Sequence, residues 1–306
     1  MIDRIETLDL HFQDRPHTIA SYLLPHDDGA ALVETGPAST AAMLQAQLAD
    51  QGLTPNDVTE VFLSHIHLDH AGAAGWLAAE HGATLYVHPR GAPHLADPSR
   101  LLSSAERIWG DDMDRLWGET LPAPDDQIVP LEHEDTRHVG EFTVTALETP
   151  GHASHHLAYV IGPVCFTGDV GGVRLPGETH VQPPLVPPEL NLDHWRESLD
   201  TLRAAISTHD VTHLAPTHFG LVDDVDAHLD RLAEGLEAAA TWVRDTLPPL
   251  ADDEEALQDA AGDWMRARAA ADGVDDATWA LYELADPSWM QALGLRRYWK
   301  KHVRAD

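Results

Sequence analysis

Residues 65–70 read His-Ile-His-Leu-Asp-His, three imidazoles and a carboxylate within six positions. The preceding run Val58–Ser64 reads as a short apolar strand, and Gly72–His81 reads as a helix. Side chains at i and i+2 of extended backbone share a face, so His65 and His67 point the same way. The turn into the helix swings Asp69 and His70 to a neighbouring direction. Imidazole and carboxylate are ordinary ligands for divalent metals, and four such groups make a poor apolar core. A lone His-x-His would be weak evidence. The full run at a strand end points to a metal cradle.

Three later residues extend the set. His152 stands in Thr149-Pro150-Gly151-His152, Asp169 in Phe166-Thr167-Gly168-Asp169, and His218 in Pro216-Thr217-His218-Phe219-Gly220. Each follows a predicted strand and has a glycine within two residues, where backbone can approach closely. Taken alone, each reads as a turn residue. Taken with the first run, they read as ligands.

The elements that must carry these residues alternate. Ile5–Phe12, Thr18–Leu24 and Ala30–Thr35 read as strands, Thr40–Gln51 as a helix ending at Gly52, and Thr84–Val87 as a further strand. Residues 89–126 hold Pro-containing turns and a helical stretch, and read as an inserted cap. Gln127–Leu131, Glu141–Leu147, Leu157–Ile161 and Val164–Phe166 read as strands. Leu192–Ser207 reads as a helix and Val211–Ala215 as a strand. From Asp223 onward the apolar spacing is helical, with Val225, Leu229, Leu232 and Leu236 on one stripe. The last helix is expected to start at Asp286-Pro287, as N-cap and first helical residue. The order describes a layered α/β protein with helices appended.

Composition bounds the function. The 306 residues are 43% hydrophobic, enough for a real core, with a formal net charge of −32. The 51 acids face 19 basic residues, and Lys300 and Lys301 are the only lysines. The acids are spread along the chain, which reads as a surface adapted to high salt rather than an acidic docking patch. So little basic surface excludes nucleic acid as a natural partner. No apolar run reaches membrane-spanning length, and the first residues lack a signal-peptide core, so a cytoplasmic location is expected. The single cysteine, Cys165, forms no internal disulfide and reads as a small buried hydrophobe. The oligomeric state is open, and a homo-oligomer is compatible with everything in the sequence.

Residues 1–220 resemble the metallo-β-lactamase superfamily in its glyoxalase II-like branch. Five motifs occur in family order, including the turn Glu34-Thr35-Gly36 after an early strand. The resemblance implies a four-layer αββα sandwich with the helical insertion at 89–126 and a C-terminal helical region at 221–306. It implies two divalent metal ions, zinc first, with iron or manganese as alternatives. His65, His67 and His152 would hold one metal. Asp69, His70 and His218 would hold the other, and Asp169 would bridge them. An aspartate at the bridge fits the nitrogen-and-oxygen version of the site, and His67 separates the chain from diiron flavoprotein relatives.

The expected reaction is attack of a metal-bridging hydroxide on an ester, thioester or lactone carbonyl of a small molecule, with Asp69 and Asp169 as the catalytic carboxylates. Two divalent ions exceed Asp69, Asp169 and one hydroxide by about one positive charge, which suits an anionic substrate or a developing oxyanion. A mononuclear-iron persulfide dioxygenase shares the fold and uses part of the ligand set (His65, His152 and Asp169). A nuclease shares the His-x-His-x-Asp-His motif, and a non-catalytic metal protein is the remaining reading.

Other residues are open between two roles. His155 and His156 read either as donors orienting the ligands or as ordinary strand positions, and His180 as a loop histidine or a substrate contact. The basic run Leu295–Arg304 reads as a cation-rich helix end or an anion-binding rim. Trp109, Met113 and Trp117 are expected to pack against the last helices.

Overall fold

The computed structural model describes residues 2–304. Its two sheets each meet helices on one face and one another on the other. The first sheet has the order β1 (Glu6–Asp9), β2 (Ala20–His26), β3 (Gly29–Val33), β4 (Val58–Phe62), β5 (Thr84–Val87) and β6 (Ile128–Pro130). The hairpin strands β1 to β3 pair antiparallel, and β3 to β6 pair parallel. The second sheet contains β7 (Thr136–Val139), β8 (Phe142–Glu148), β9 (Leu157–Ile161), β10 (Val164–Phe166) and β11 (His213–Ala215), in the order β11-β10-β9-β8-β7.

Period-two alternation explains the layers, because neighbours on a strand face opposite sides. Tyr22, Phe62, Tyr159 and Phe166 fill the space between the sheets. Their neighbours Leu23, Val61, Val160 and Cys165 face the outer helix layers. The first sheet is covered by α1 (Ala41–Asp50), α2 (Leu68–Ala71) and α3 (Ala74–His81), and by the inserted helices α4 (Ala92–Ala96), α5 (Ser99–Trp109) and α6 (Met113–Trp117). The second is covered by α7 (Leu192–Thr208) and by α8 (Val225–Asp245), α9 (Glu254–Ala271), α10 (Asp276–Ala285) and α11 (Ser288–Tyr298). The predicted αββα sandwich with C-terminal helices is therefore present. Full burial of a side chain such as Leu232 or Leu236 contributes roughly 2 kcal/mol.

Side-chain carboxylates and an amide cap three of the late helices. Asn191 accepts from the backbone N–H of Asp193 and His194, Asp253 from Ala256, and Asp275 from Thr278. Each such cap is worth about 1 kcal/mol.

Three local expectations change, and one strand, β7, was not anticipated. The strand expected over Ile5–Phe12 stops at Asp9, because His11, Gln13 and Asp14 take left-handed backbone and Asp9 accepts from the N–H of His11 and His17. The helix expected from Gly72 begins at Leu68 and breaks at Gly72-Ala73, where a Cβ on Gly72 would stand 2.8 Å from Pro37 Cα. Strand β7, Thr-Arg-His-Val, carries no apolar alternation because it is a partly exposed edge. Finally, Pro287 occupies the N-cap of α11. Glu283 instead accepts the N–H of Ser288 at 3.2 Å, and the Asp286 carboxylate turns inward to Gln182.

Candidate metal centre

Strands β3, β4, β8, β10 and β11 all deliver their C-terminal ends to one edge of the sandwich. Glu34 follows β3, His65 and His67 follow β4, His152 follows β8, Asp169 follows β10 and His218 follows β11. The apolar side chains of these short strands are buried, and the loop that follows each strand turns polar side chains into a common space. Gly168 has φ +51°, and a Cβ there would stand 2.6 Å from Ser64. Gly151 has φ +147° and presses against the backbone of Trp195. Larger residues at either place would push Asp169 or His152 out of position.

All seven sequence-predicted residues come together, in two groups. His65, His67, His152 and Asp169 form one, and Asp69, His70 and His218 the other, with the donor atoms of each group within 4.8 Å of one another. His67 Nδ1 lies 2.9 Å from both His65 Nε2 and His152 Nε2. Asp69 Oδ2 lies 3.6 Å from His70 Nε2 and 3.5 Å from His218 Nε2. Asp169 spans the two groups. Its Oδ2 is 3.3 Å from His152 Nε2, while its Oδ1 is 3.1 Å from His70 Nε2 and 3.5 Å from His218 Nε2.

Hydrogen bonds behind the ring fix which nitrogen faces inward. Nδ1–H of His152 donates to Pro184 O at 2.9 Å, and that of His218 to Thr18 O at 2.6 Å, leaving each Nε2 directed at the carboxylates. His65 Nδ1 pairs with Ser64 Oγ at 2.9 Å. Glu34, buried and with left-handed backbone, sets Oε1 3.4 Å from His70 Nδ1. The same oxygen accepts the N–H of Ser64 at 3.3 Å. Glu34 was noticed in the sequence only as part of a turn; its contact with His70 needs the pairing of β3 with β4.

The electrostatics divide the ring. Burial holds His65 and His67 well below the ordinary histidine range, and neighbouring imidazoles add to the effect. They are neutral, as ligation requires. At His70 and His218 burial also opposes the charged form, but the carboxylates of Asp169 and Asp69 outweigh it and raise both. Burial raises Asp69 and Asp169, yet the facing histidines win and hold Asp69 at about 2 and Asp169 well below its usual value. Buried Asp169 Oδ1 and both ring nitrogens of His70 lie near charged partners but make no well-aligned hydrogen bond in this arrangement. Orphaned polar atoms of this kind are costly, and a donor set of imidazoles and carboxylates closes around cations.

The other candidate histidines separate. His156 Nδ1 pairs with Thr149 Oγ1 at 2.8 Å, and its Nε2 accepts from Val170 N–H at 3.4 Å, so it holds the loop that carries Asp169. The His155 ring lies nearly parallel to His65, 6.1 Å away, and burial lowers it to about 4. His180 pairs with Asp272 at 2.6 Å, away from the ring, and fits the loop-histidine reading. Cys165 is buried, and burial pushes its thiol up to about 12. In the basic run, Arg296 pairs with Glu254 and Arg297 donates to Pro188 O. Of the three insertion residues expected against the last helices, Trp109 packs edge-on to Trp289 of α11, whereas Trp117 stacks on Phe12 and, with Met113, joins the cluster outside the first sheet.

The metallo-beta-lactamase superfamily model matches residues 14–218, spanning every ring position. The chain belongs to this superfamily. It is 28% identical over 142 residues to a metallo-beta-lactamase fold-containing protein of Sulfurisphaera tokodaii, covering 45% of this chain and 53% of that protein. It is 33% identical over 159 residues to a hydroxyacylglutathione hydrolase of Cupriavidus taiwanensis, covering 49% and 48%. The chain thus spans about half the length of each of these two superfamily relatives. A metallo-beta-lactamase family structure from Thermus thermophilus superposes with a TM-score of 0.65 at 22% identity, covering 98% of this chain and 94% of that one. The likeness of fold to that structure extends over the C-terminal helices, beyond the stretch that the superfamily model matches.

Proposed function

We propose that the protein is a dinuclear metallohydrolase acting on an ester-, thioester- or lactone-type carbonyl. The observation that carries the reading is Asp169, whose two carboxylate oxygens face two separate histidine groups on the floor of a cleft. His65, His67 and His152 would hold one ion, and Asp69, His70 and His218 the other, with Asp169 between them. Zinc suits the donors best, with iron and manganese as alternatives. Such ions supply Lewis acidity and make bound water acidic near neutral pH.

The chain's own residues do the rest. The ring sits at the bottom of the cleft, where Asp69, half-buried and ionised, faces the space a substrate would fill. Its carboxylate accepts a hydrogen bond from the attacking water and orients it. Water adds to the carbonyl carbon, the bond to the leaving oxygen or sulfur breaks, and the water-derived proton ends on the leaving group. The sparse basic surface disfavours the nuclease reading.

Purified protein should contain two metal ions per chain by elemental analysis. Chelation should abolish thioester hydrolysis, and added zinc or manganese should restore it. One iron per chain, with oxygen uptake on a persulfide, would replace this reading by the dioxygenase.

A further inference from the structure

We propose that the site takes an uncharged, hydrophobic acyl substrate whose chain lies along the cleft wall, rather than a thioester with two free carboxylates such as a glutathione conjugate. This names the substrate class of the hydrolase proposed above and rests on that reading.

The cleft holds about 1030 Å³, its open mouth included. Its wall comes from three distant parts of the chain, represented by Phe12, by Leu101, Ile108, Trp109 and Trp117, and by Met290. The aromatic part is braced. Phe12 stacks on Trp117 with ring centres 5.6 Å apart, and Trp109 stands edge-on between Trp117 and Trp289 at 5.3 and 5.2 Å. Such a wall is preorganised, so little ordering is needed when an apolar chain arrives.

Charge points the same way. Beyond the ring, the ionisable side chains lining the cleft are Asp286 and Glu283, which offer no positive charge in either protonation state. Among the described residues no Lys, Arg or Tyr lines it. Two guanidinium groups bond to lining residues, but Arg115 is engaged by Gln13 and Asp112 and Arg297 by the backbone of Pro188. The carboxylates of a glutathione conjugate would lose water without gaining a partner on this wall, which is costly. Each methylene moved from water onto it raises binding about fourfold.

The test uses metal-loaded enzyme with S-butyryl- and S-octanoyl-N-acetylcysteamine and with S-octanoylglutathione, so that reaction type and acyl group stay fixed while leaving-group charge changes. Octanamide and the thioether S-octylglutathione serve as unreactive probes in calorimetric titrations. The expected kcat/KM rises at least about tenfold from butyryl to octanoyl, and falls at least about tenfold from N-acetylcysteamine to glutathione. Octanamide should bind more tightly than S-octylglutathione. Ile108→Arg, or Ser104→Arg if the first variant does not fold, should narrow the discrimination against glutathione.

A flat chain-length series, or a preference for glutathione thioesters, overturns the proposal while leaving the hydrolase intact. Tight octanamide binding without turnover of any octanoyl thioester, octanoyl ester or alkyl-substituted lactone upholds the cleft assignment and sinks the hydrolase reading. Equal or tighter binding of S-octylglutathione, or no binding of either probe, overturns the cleft assignment.

Discussion

The ring of imidazoles and carboxylates and the wall above it meet in one cleft, but they are built differently. The ring comes from loops at the ends of short buried strands, within the 14–218 stretch matched to the superfamily. Its histidines are clamped from behind by backbone oxygens and by Glu34. The wall is apolar and is assembled from the loop after β1, the insertion and the C-terminal helices. Part of it, including Asp286 and Met290, lies beyond the matched stretch. On the proposed function, reaction chemistry and substrate choice are carried by separable parts of the chain, so each should be breakable without the other.

Breaking the ring should have the largest effect. Asp169→Ala removes the one carboxylate that faces both groups, so hydrolysis should fall by at least about 10³-fold. Metal content should fall with it, while octanamide binding, which reads the wall, persists. Loss of both would show that ring and wall are one cooperative unit.

The second test strikes a joint between the regions. His228 on α8 donates Nε2–H to Gly171 O at 2.7 Å, two residues beyond Asp169. Burial lowers its pKa to about 4. A histidine depressed in the fold contributes stability above its unfolded value of about 6.5, and that contribution is lost as pH falls toward 4. The full loss is about 3 kcal/mol. Urea midpoints at pH 7 and pH 5 should differ in wild type, and the difference should shrink in His228→Gln.

A smaller effect is expected at Glu34. Glu34→Ala leaves all seven ring residues in place but frees His70, so metal affinity should drop about 10–100-fold while the substrate chain-length preference stays unchanged. Competition with a colorimetric chelator measures the first, and the thioester series measures the second.

Smaller again is the clamp at Arg174, which makes a two-pronged pair with Asp224 before α8 and bonds through its backbone to His218 O. Arg174→Ala should cost about 1 kcal/mol in stability. Thermal unfolding with and without metal will show whether that cost reaches the His218 loop.

The two regions also differ in how far the sequence revealed them. The ring was legible because histidine and aspartate at strand ends are unusual residues in compact motifs, and their chemistry does not depend on knowing the packing. The alternation of strands and helices was legible because runs such as Leu157–Ile161 are apolar and too short to be helices, whereas the αββα layering came from the resemblance to the superfamily. The wall was not legible. Trp109 was expected against the last helices, and it does meet Trp289, but nothing in the sequence showed that it shares a cleft wall with Phe12 and Met290 above the ring. Asp286 looked like a helix cap, and only the packing of α10 and α11 beside Gln182 turns it inward. The residual positive charge expected of a dinuclear ring favours an anionic group or developing oxyanion at the metals, whereas the wall above it supplies no cation. Of the 51 acids, two belong to the ring, and most of the others coat the surface. Stability should therefore rise with salt as self-repulsion is screened, by a modest amount that denaturation in 0.1 and 2 M KCl will measure.

The most direct test of the central claim is a crystal structure of metal-loaded protein with anomalous data at the metal edges. Two peaks are expected, one among His65, His67 and His152 and one among Asp69, His70 and His218, with Asp169 touching both. A single fully occupied peak in an otherwise well-ordered ring, or metal bound elsewhere, would contradict the dinuclear assignment.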